Sequence, residues 1–157
     1  MADSPHPFYV AVVGADGEVR AQLIAEAELV GTELARRGAV VVTGGLGGVM
    51  EAACRGARCA GGVTLGILPG DDRRAANRWV SVAIATGMGE LRNGLVVWAC
   101  DAVIAVAGEY GTLSEIALAL KAGKPVVGIA TWEIPGVQSA PDAGVAVDMA
   151  IGPRGAR

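Results

Sequence analysis

Short unbroken apolar runs alternate along this chain with stretches of helical spacing. Residues 8–14, FYVAVVG, form the first run and close on Gly14. Residues 18–37 follow with apolar positions at Leu23, Ala27, Val30 and Leu34, the three-to-four spacing of one helix face, and Gly38 supplies a C-cap. The unit repeats. Residues 39–43 read as a strand, residues 44–48 as a glycine turn, residues 49–60 as a helix stopped by Gly61 and Gly62, and residues 63–68 as a third strand. Residues 69–79 carry Asp71, Asp72, Arg73, Arg74 and Arg78 without periodicity and read as a surface loop over one edge of the site. A short strand is expected at 80–85, a helix at 88–100, a strand at 101–107, a helix at 112–123 and a strand at 124–130. Beyond Trp132 the pattern weakens, with a last short helix expected at 143–151.

Strands that are apolar throughout are buried on both faces, and alternation with helices through right-handed crossovers builds a parallel sheet. The expected fold is a single-domain, Rossmann-like α/β structure: an open, doubly wound parallel sheet with helices on both faces. The domain spans residues 8–157, after a flexible tail at 1–7 whose MADSPHP sequence is polar and broken by proline. Composition agrees, since 52% of the 157 residues are hydrophobic while only 4% are aromatic. Such a core is made of Ala, Val, Ile and Leu.

A net charge of -3 without a basic run argues against nucleic acid as a partner. No apolar stretch approaches a membrane span and no signal peptide opens the chain, so the expectation is a cytoplasmic protein with no membrane partner. Cys54, Cys59 and Cys100 show no CxxC spacing and are odd in number, which fits reduced core residues better than a disulfide framework or a zinc site. His6, the only histidine, lies in the tail, so no metal site and no histidine-based nucleophile mechanism is expected.

In a doubly wound sheet the ligand sits at the carboxyl ends of the strands, where strand order reverses. Three glycine turns fall at such ends: Gly14 to Gly17, Gly44, Gly45 and Gly47 with their neighbours, and Gly108 to Thr112 including Tyr110 and Gly111. One glycine turn alone is weak evidence; three that converge, each ahead of a helix N-terminus, suit a phosphate. Their spacing matches neither GxGxxG nor the P-loop pattern. Two charged residues stand out. Glu115 completes a capping-box spacing with Thr112, yet one turn into its helix it also reaches ligand hydroxyls. Arg92 is either a surface arginine or a bidentate partner for an anion. Tyr110 can stack on a flat ring or cover a helix end, and Asp16 can cap the following helix or hold a ribose hydroxyl.

The segments TGGLGGVMEAACRGARCAGGVTLGILPG and AGEYGTLSEIALALKAGKPVVGI resemble the LOG-like superfamily of Rossmann-type proteins, often labelled "possible lysine decarboxylase", and its molybdenum-cofactor carrier branch in particular. The resemblance runs from about Phe8 to Ala130. Its enzymes cleave the N-glycosidic bond of cytokinin nucleotides and of AMP, and their signature PGGxGTxxE, with an upstream Arg-Lys pair, implies catalytic roles for Glu115 and Arg92. Gly108, Gly111 and Thr112 would fill the phosphate turn. Ala107, Glu109 and Asn93 depart from the pattern, replacing Pro, Gly and Lys. Two functions follow: a carrier or sensor that binds a mononucleotide or molybdopterin-type cofactor, with no other cofactor required, or a phosphoribohydrolase releasing base and ribose 5-phosphate. Lysine decarboxylation is rejected, because Lys121 and Lys124 lie at the far end of their helix. A DNA-processing role, known for remote relatives, conflicts with the acidic chain. The apolar segments around Leu95 to Ala99 and Ile116 to Leu120 call for a second surface, and a homodimer or higher homo-oligomer is expected, as the resemblance also implies.

Overall fold

The computed structural model describes residues 6–152. The tail expected at 1–7 therefore lies mostly outside the described residues, as do the last five positions. Seven strands, β1 (Tyr9–Gly14), β2 (Val40–Thr43), β3 (Thr64–Leu68), β4 (Val82–Ala85), β5 (Ala102–Val106), β6 (Val126–Ile129) and β7 (Val137–Ser139), form one sheet in the order β4-β3-β2-β1-β5-β6-β7. Every pairing is parallel, and β1 lies between β2 and β5 with Val10 opposite Ala102 and Gly14 opposite Val106. This is the doubly wound α/β fold read from the sequence.

Alternation along β1 divides the core. Val10 and Val12 face one side, with α1 (Ala21–Arg36), α2 (Gly48–Cys59) and α5 (Ala143–Ile151) packed over them through Val30, Leu34, Val49 and Val147. Ala11 and Val13 face the other, under α3 (Asn93–Trp98) and α4 (Tyr110–Lys121) through Val96, Val97, Ile116 and Ala119. Each fully buried Val or Ile contributes about 1.5–3 kcal/mol. The unbroken apolar strands are thus explained by burial from both sides. Helices α1 and α2 meet almost backbone to backbone. A Cβ on Gly31 would lie 2.0 Å from the Ala53 carbonyl oxygen and one on Gly56 1.9 Å from that of Glu28, while Arg55 Nη2 pairs with Glu28 Oε2 at 2.8 Å beside the crossing.

The structure differs from the sequence reading at several places that matter for the site. Arg20 is extended and offers no side-chain cap, so α1 starts at Ala21 and residues 15–20 form a loop, tied at Ala15 and Asp16 to the start of α2. The helix expected at 88–100 is broken: Gly87 and Gly89 adopt positive φ, a tight 3-10 turn spans Gly89–Arg92, and only six residues continue as α3. Helix α4 begins at Tyr110, two residues early, with Glu109 as its cap. Strand β7 is unheralded, because three residues after Pro135 and Gly136 are too few to show a period. Of the cysteines, Cys54 and Cys100 are buried thiols but Cys59 is exposed. Among the described residues no helix is long and apolar enough to cross a membrane.

Candidate functional site

The chain leaves β1 toward β2, β3 and β4 on one side and returns to build β5, β6 and β7 on the other. The loops after β1 and β5 therefore diverge, and a cleft of ≈ 240 Å³ opens between them. Gly14, Ala15 and Asp16 form its floor at the end of β1; Leu46, Met50 and Pro69 form the wall toward β2 and β3. Glu90, Arg92 and Asn93 come from the turn into α3, and Glu109, Gly111, Thr112 and Glu115 from the start of α4. A larger hollow of ≈ 440 Å³ lies under residues 130–135 beyond β6, but Glu133 is its only titratable side chain. The switch-point cleft is smaller and holds the charged groups.

Arg92 is buried with 7% of its surface exposed, and its guanidinium is held on three sides. Nε donates to the Ile67 carbonyl at 2.8 Å, Nη2 to the Gly44 carbonyl at 3.4 Å, and Nη1 to Asn93 Oδ1. Asn93, only 6% exposed, passes its own amide hydrogen to Ser114 Oγ on α4 at 3.0 Å. The tight turn before α3 is what lets Arg92 aim under the ends of β2 and β3. Burial lowers its pKa, and the charges of Glu115, Glu90 and Asp16 oppose that shift.

Glu115, also 7% exposed, sits in the second turn of α4. It is not a capping residue: the Thr112 hydroxyl instead accepts the Glu109 N–H at 3.4 Å, which ties off the helix start without it. Burial pushes its carboxyl up to about 7 against the opposing pull of Arg92. Among the described residues it accepts no hydrogen bond, and the ion pairs present all lie elsewhere. A buried carboxylic acid poised near neutrality beside a fixed cation is a chemically available group.

The other expected site residues divide. Gly14, Gly111 and Thr112 line the cleft. Gly111 faces open space, while Gly14 admits no Cβ because Val49 Cγ1 and the Val106 oxygen would stand 2.5 and 2.6 Å away. The turn after β2 is closed against a ligand. The Gly45 N–H goes to Thr43 Oγ1 at 3.0 Å and the Gly47 N–H to Asp16 Oδ1 at 2.6 Å. Gly44 is the seat of the guanidinium, for its Cβ would meet Arg92 Nη2 at 2.6 Å. Asn77 ties residues 69–79 to this turn, its N–H on the Gly45 oxygen at 2.9 Å and its Nδ2 on the Leu46 oxygen at 2.8 Å.

Gly108 has φ 137° and a Cβ there would strike Thr112 Cγ2 at 2.7 Å, so it serves the helix start and faces a neighbouring hollow along α1. Tyr110 is 81% exposed and lies outside the cleft, its ring 5.9 Å from that of Trp132. Asp16 neither caps the helix after β1 nor hangs free; it serves the N-terminus of α2. Met50, Pro69 and Glu90 were not singled out by the sequence, and only the chain reversal at β1 and β5 brings them in. Among the described residues no three His, Cys, Asp or Glu side chains gather as a metal site requires.

A profile of the SLOG cluster4 family matches residues 7–149. An uncharacterized protein of Archaeoglobus fulgidus is 45% identical over 120 residues, which are 76% of this chain and 78% of that one. Among solved structures, the molybdenum cofactor binding protein of the phototrophic bacterium Rippkaea orientalis is 34% identical with a TM-score of 0.87, over 92% of this chain and 96% of that one. The molybdenum cofactor carrier protein of Chlamydomonas reinhardtii is 31% identical with a TM-score of 0.81, over 90% and 94% of the two chains.

Proposed function

The chain belongs to the SLOG cluster4 family, and on that premise we propose that it binds a phosphorylated, nucleotide-like ligand in the cleft between the ends of β1 and β5, as a carrier or sensor. The ligand class is a mononucleotide or a molybdopterin-type cofactor. The observation that carries this reading is the meeting, in one cleft, of the α4 N-terminus with the buried Arg92 and Glu115. The first amides of a helix lack intrahelical acceptors, and Gly111 leaves the space before them open. The Glu109 side chain takes the Thr112 N–H, so a phosphate there gains the donors of Tyr110 and Gly111 and about 0.3–1 kcal/mol from the helix dipole. The binding and carrier roles of the proteins from Rippkaea orientalis and Chlamydomonas reinhardtii support the same assignment.

The buried Glu115 also favours a second reading, a phosphoribohydrolase acting on a nucleoside 5′-monophosphate. Glycosidic cleavage needs a group that stabilises an oxocarbenium-like state and an acid for the leaving base. A carboxyl held up at about 7 divides between both protonation forms at neutral pH. Neither reading needs a resident cofactor. Incubation with a panel of 5′-mononucleotides including AMP, followed by chromatography for free base, separates them. Base that disappears with both Glu115→Ala and Arg92→Ala establishes the hydrolase. No base, with a melting temperature raised by a mononucleotide or a pterin, establishes the binder; neither effect removes both.

Cytoplasmic residence belongs with this reading, supported by three free thiols. So does a homodimer, although its surface moves. Leu118 on α4 packs against the core, whereas Leu91, Leu95 and Trp98 around α3 and Val82 and Ile84 on β4 are 40–79% exposed. A second copy covering that face would remove the largest apolar side chains from water.

A further inference from the structure

Inside, the cleft is acidic. Asp16 enters from the loop after β1, Glu90 from the turn before α3, Glu109 from the cap of α4 and Glu115 from its second turn, against the one guanidinium of Arg92. Asp16 already holds the Gly47 N–H, and Asp16, Glu90 and Glu109 are exposed to water. Glu115 alone is more than nine-tenths buried, lines the cleft and has no donor among the described residues. Thr131 Oγ1 is the one fully buried side-chain polar atom without a partner among the described residues, so the Glu115 oxygens still reach the cleft, and a ligand that donates to them replaces water in a mostly buried setting where a charge-assisted bond is worth most.

Arg92 does not fill that need. Three of its five N–H groups go to Ile67, Gly44 and Asn93, which leaves two. A phosphate pushed to this depth would meet Glu115 as a like charge, with three further carboxylates adding to the repulsion. At the α4 N-terminus it meets a single carboxylate, the exposed Glu109 that takes the Thr112 N–H, together with the open amides of Tyr110 and Gly111. The depth therefore suits the opposite end of the ligand, and that end must give two hydrogens and take one. The 2-aminopyrimidin-4-one edge of guanine or of a pterin has this order: ring N–H and amino group side by side, which match the two oxygens of a carboxylate as a guanidinium does, and a carbonyl for the remaining Arg92 hydrogens. Adenine turns a ring acceptor toward the same position.

We infer that Glu115, with Arg92 beside it, recognises the 2-aminopyrimidin-4-one edge of the ligand, which enters base first while its phosphate stays at the N-terminus of α4. The inference rests on the binding reading above. It makes Glu115 a specificity-determining residue. Accepting two hydrogens requires the ionised form, and burial holds that ionisation at about 7. Affinity for the base edge therefore rises from pH 6 to pH 8, whereas entry of an anion at this depth would make it fall.

The test is calorimetric titration of the whole chain at pH 6 and pH 8 with GMP, 6-hydroxymethylpterin, AMP, ribose 5-phosphate and inorganic phosphate, for the wild type and Glu115→Gln. GMP and the pterin are expected to bind at pH 8 at least about tenfold more tightly than AMP, the discrimination of one bidentate pair. Glu115→Gln should abolish that preference and leave ribose 5-phosphate unchanged. Equal binding of GMP and AMP by the wild type overturns the inference without any variant. Loss of ribose 5-phosphate binding in Glu115→Gln equal to that of GMP also overturns it, since the carboxylate then holds the ribose diol. If no probe binds, phosphate included, the binding reading falls and this inference with it.

Discussion

Asp16 Oδ1 accepts the Gly47 N–H at 2.6 Å, so the loop after β1 lends a carboxylate to the N-terminus of α2. The negative group stands where a phosphate would otherwise be drawn by the helix dipole. Replacing Asp16 with Ala should cost about 1 kcal/mol of stability through the lost cap. It should also create phosphate binding at α2, read as a melting temperature that rises with inorganic phosphate by more than in the wild type. An unchanged response would mean that the turn after β2 is closed for reasons other than Asp16.

Asn93 links the turn before α3 to α4 by accepting from Arg92 and donating to Ser114. Substitution by Ala leaves a buried guanidinium hydrogen without its acceptor, at about 1–3 kcal/mol. Urea unfolding should show that loss. Ser114→Ala removes two bonds, the one its hydroxyl accepts from Asn93 Nδ2 and the one it donates to the Gly111 carbonyl, and leaves the buried Asn93 amide without an acceptor, so a similar cost of about 1–3 kcal/mol is expected by the same measurement.

Glu115 also predicts how stability changes with pH. Its folded value of about 7 lies above the 4.5 of an ordinary glutamate, so the folded state keeps a proton that the unfolded state releases between those values. The associated stability is fully present below pH 4.5 and is lost as pH rises through 7, by about 3 kcal/mol in all. Glu115→Gln cannot titrate. Urea denaturation at pH 5 and pH 8 should show the variant gaining on the wild type at the higher pH. Parallel pH profiles would place Glu115 in contact with water.

The inner strands were legible because parallel strands buried on both faces leave unbroken apolar runs, whereas the short edge strand β7 was not, and the cleft lies at glycine-bearing strand ends. Glu115 was legible from its spacing behind Gly111. Its freedom from capping was not, since that depends on Glu109 starting α4 two residues early. Nor was the role of Gly44, whose missing side chain makes room for an arginine nearly fifty residues away rather than for a phosphate. Such long-range packing leaves no local period. The split of the segment at 88–100 escaped for a related reason: the apolar pattern of α3 runs on into Leu91, which the structure exposes.

The proposed homodimer would cover Leu91, Leu95 and Trp98, which are exposed in the single chain. Trp98→Glu should yield a monomer by light scattering with a melting temperature close to that of the wild type at low concentration, because Trp98 is 57% exposed in the single chain. Leu118→Glu should instead destabilise the chain itself, through its contact with the core on the α4 side. A Trp98→Glu protein with the mass of the wild-type assembly would move the interface elsewhere.

On the proposed function, a phosphorylated ligand occupies the cleft between β1 and β5 with its phosphate at the start of α4. Titrating the 15N-labelled protein with GMP and following amide shifts tests it most directly. The largest shifts should fall on Tyr110, Gly111 and Thr112, with smaller ones from Gly14 to Asp16. Saturable shifts confined to the α2 N-terminus or to residues 130–135, with the start of α4 unmoved, would contradict it.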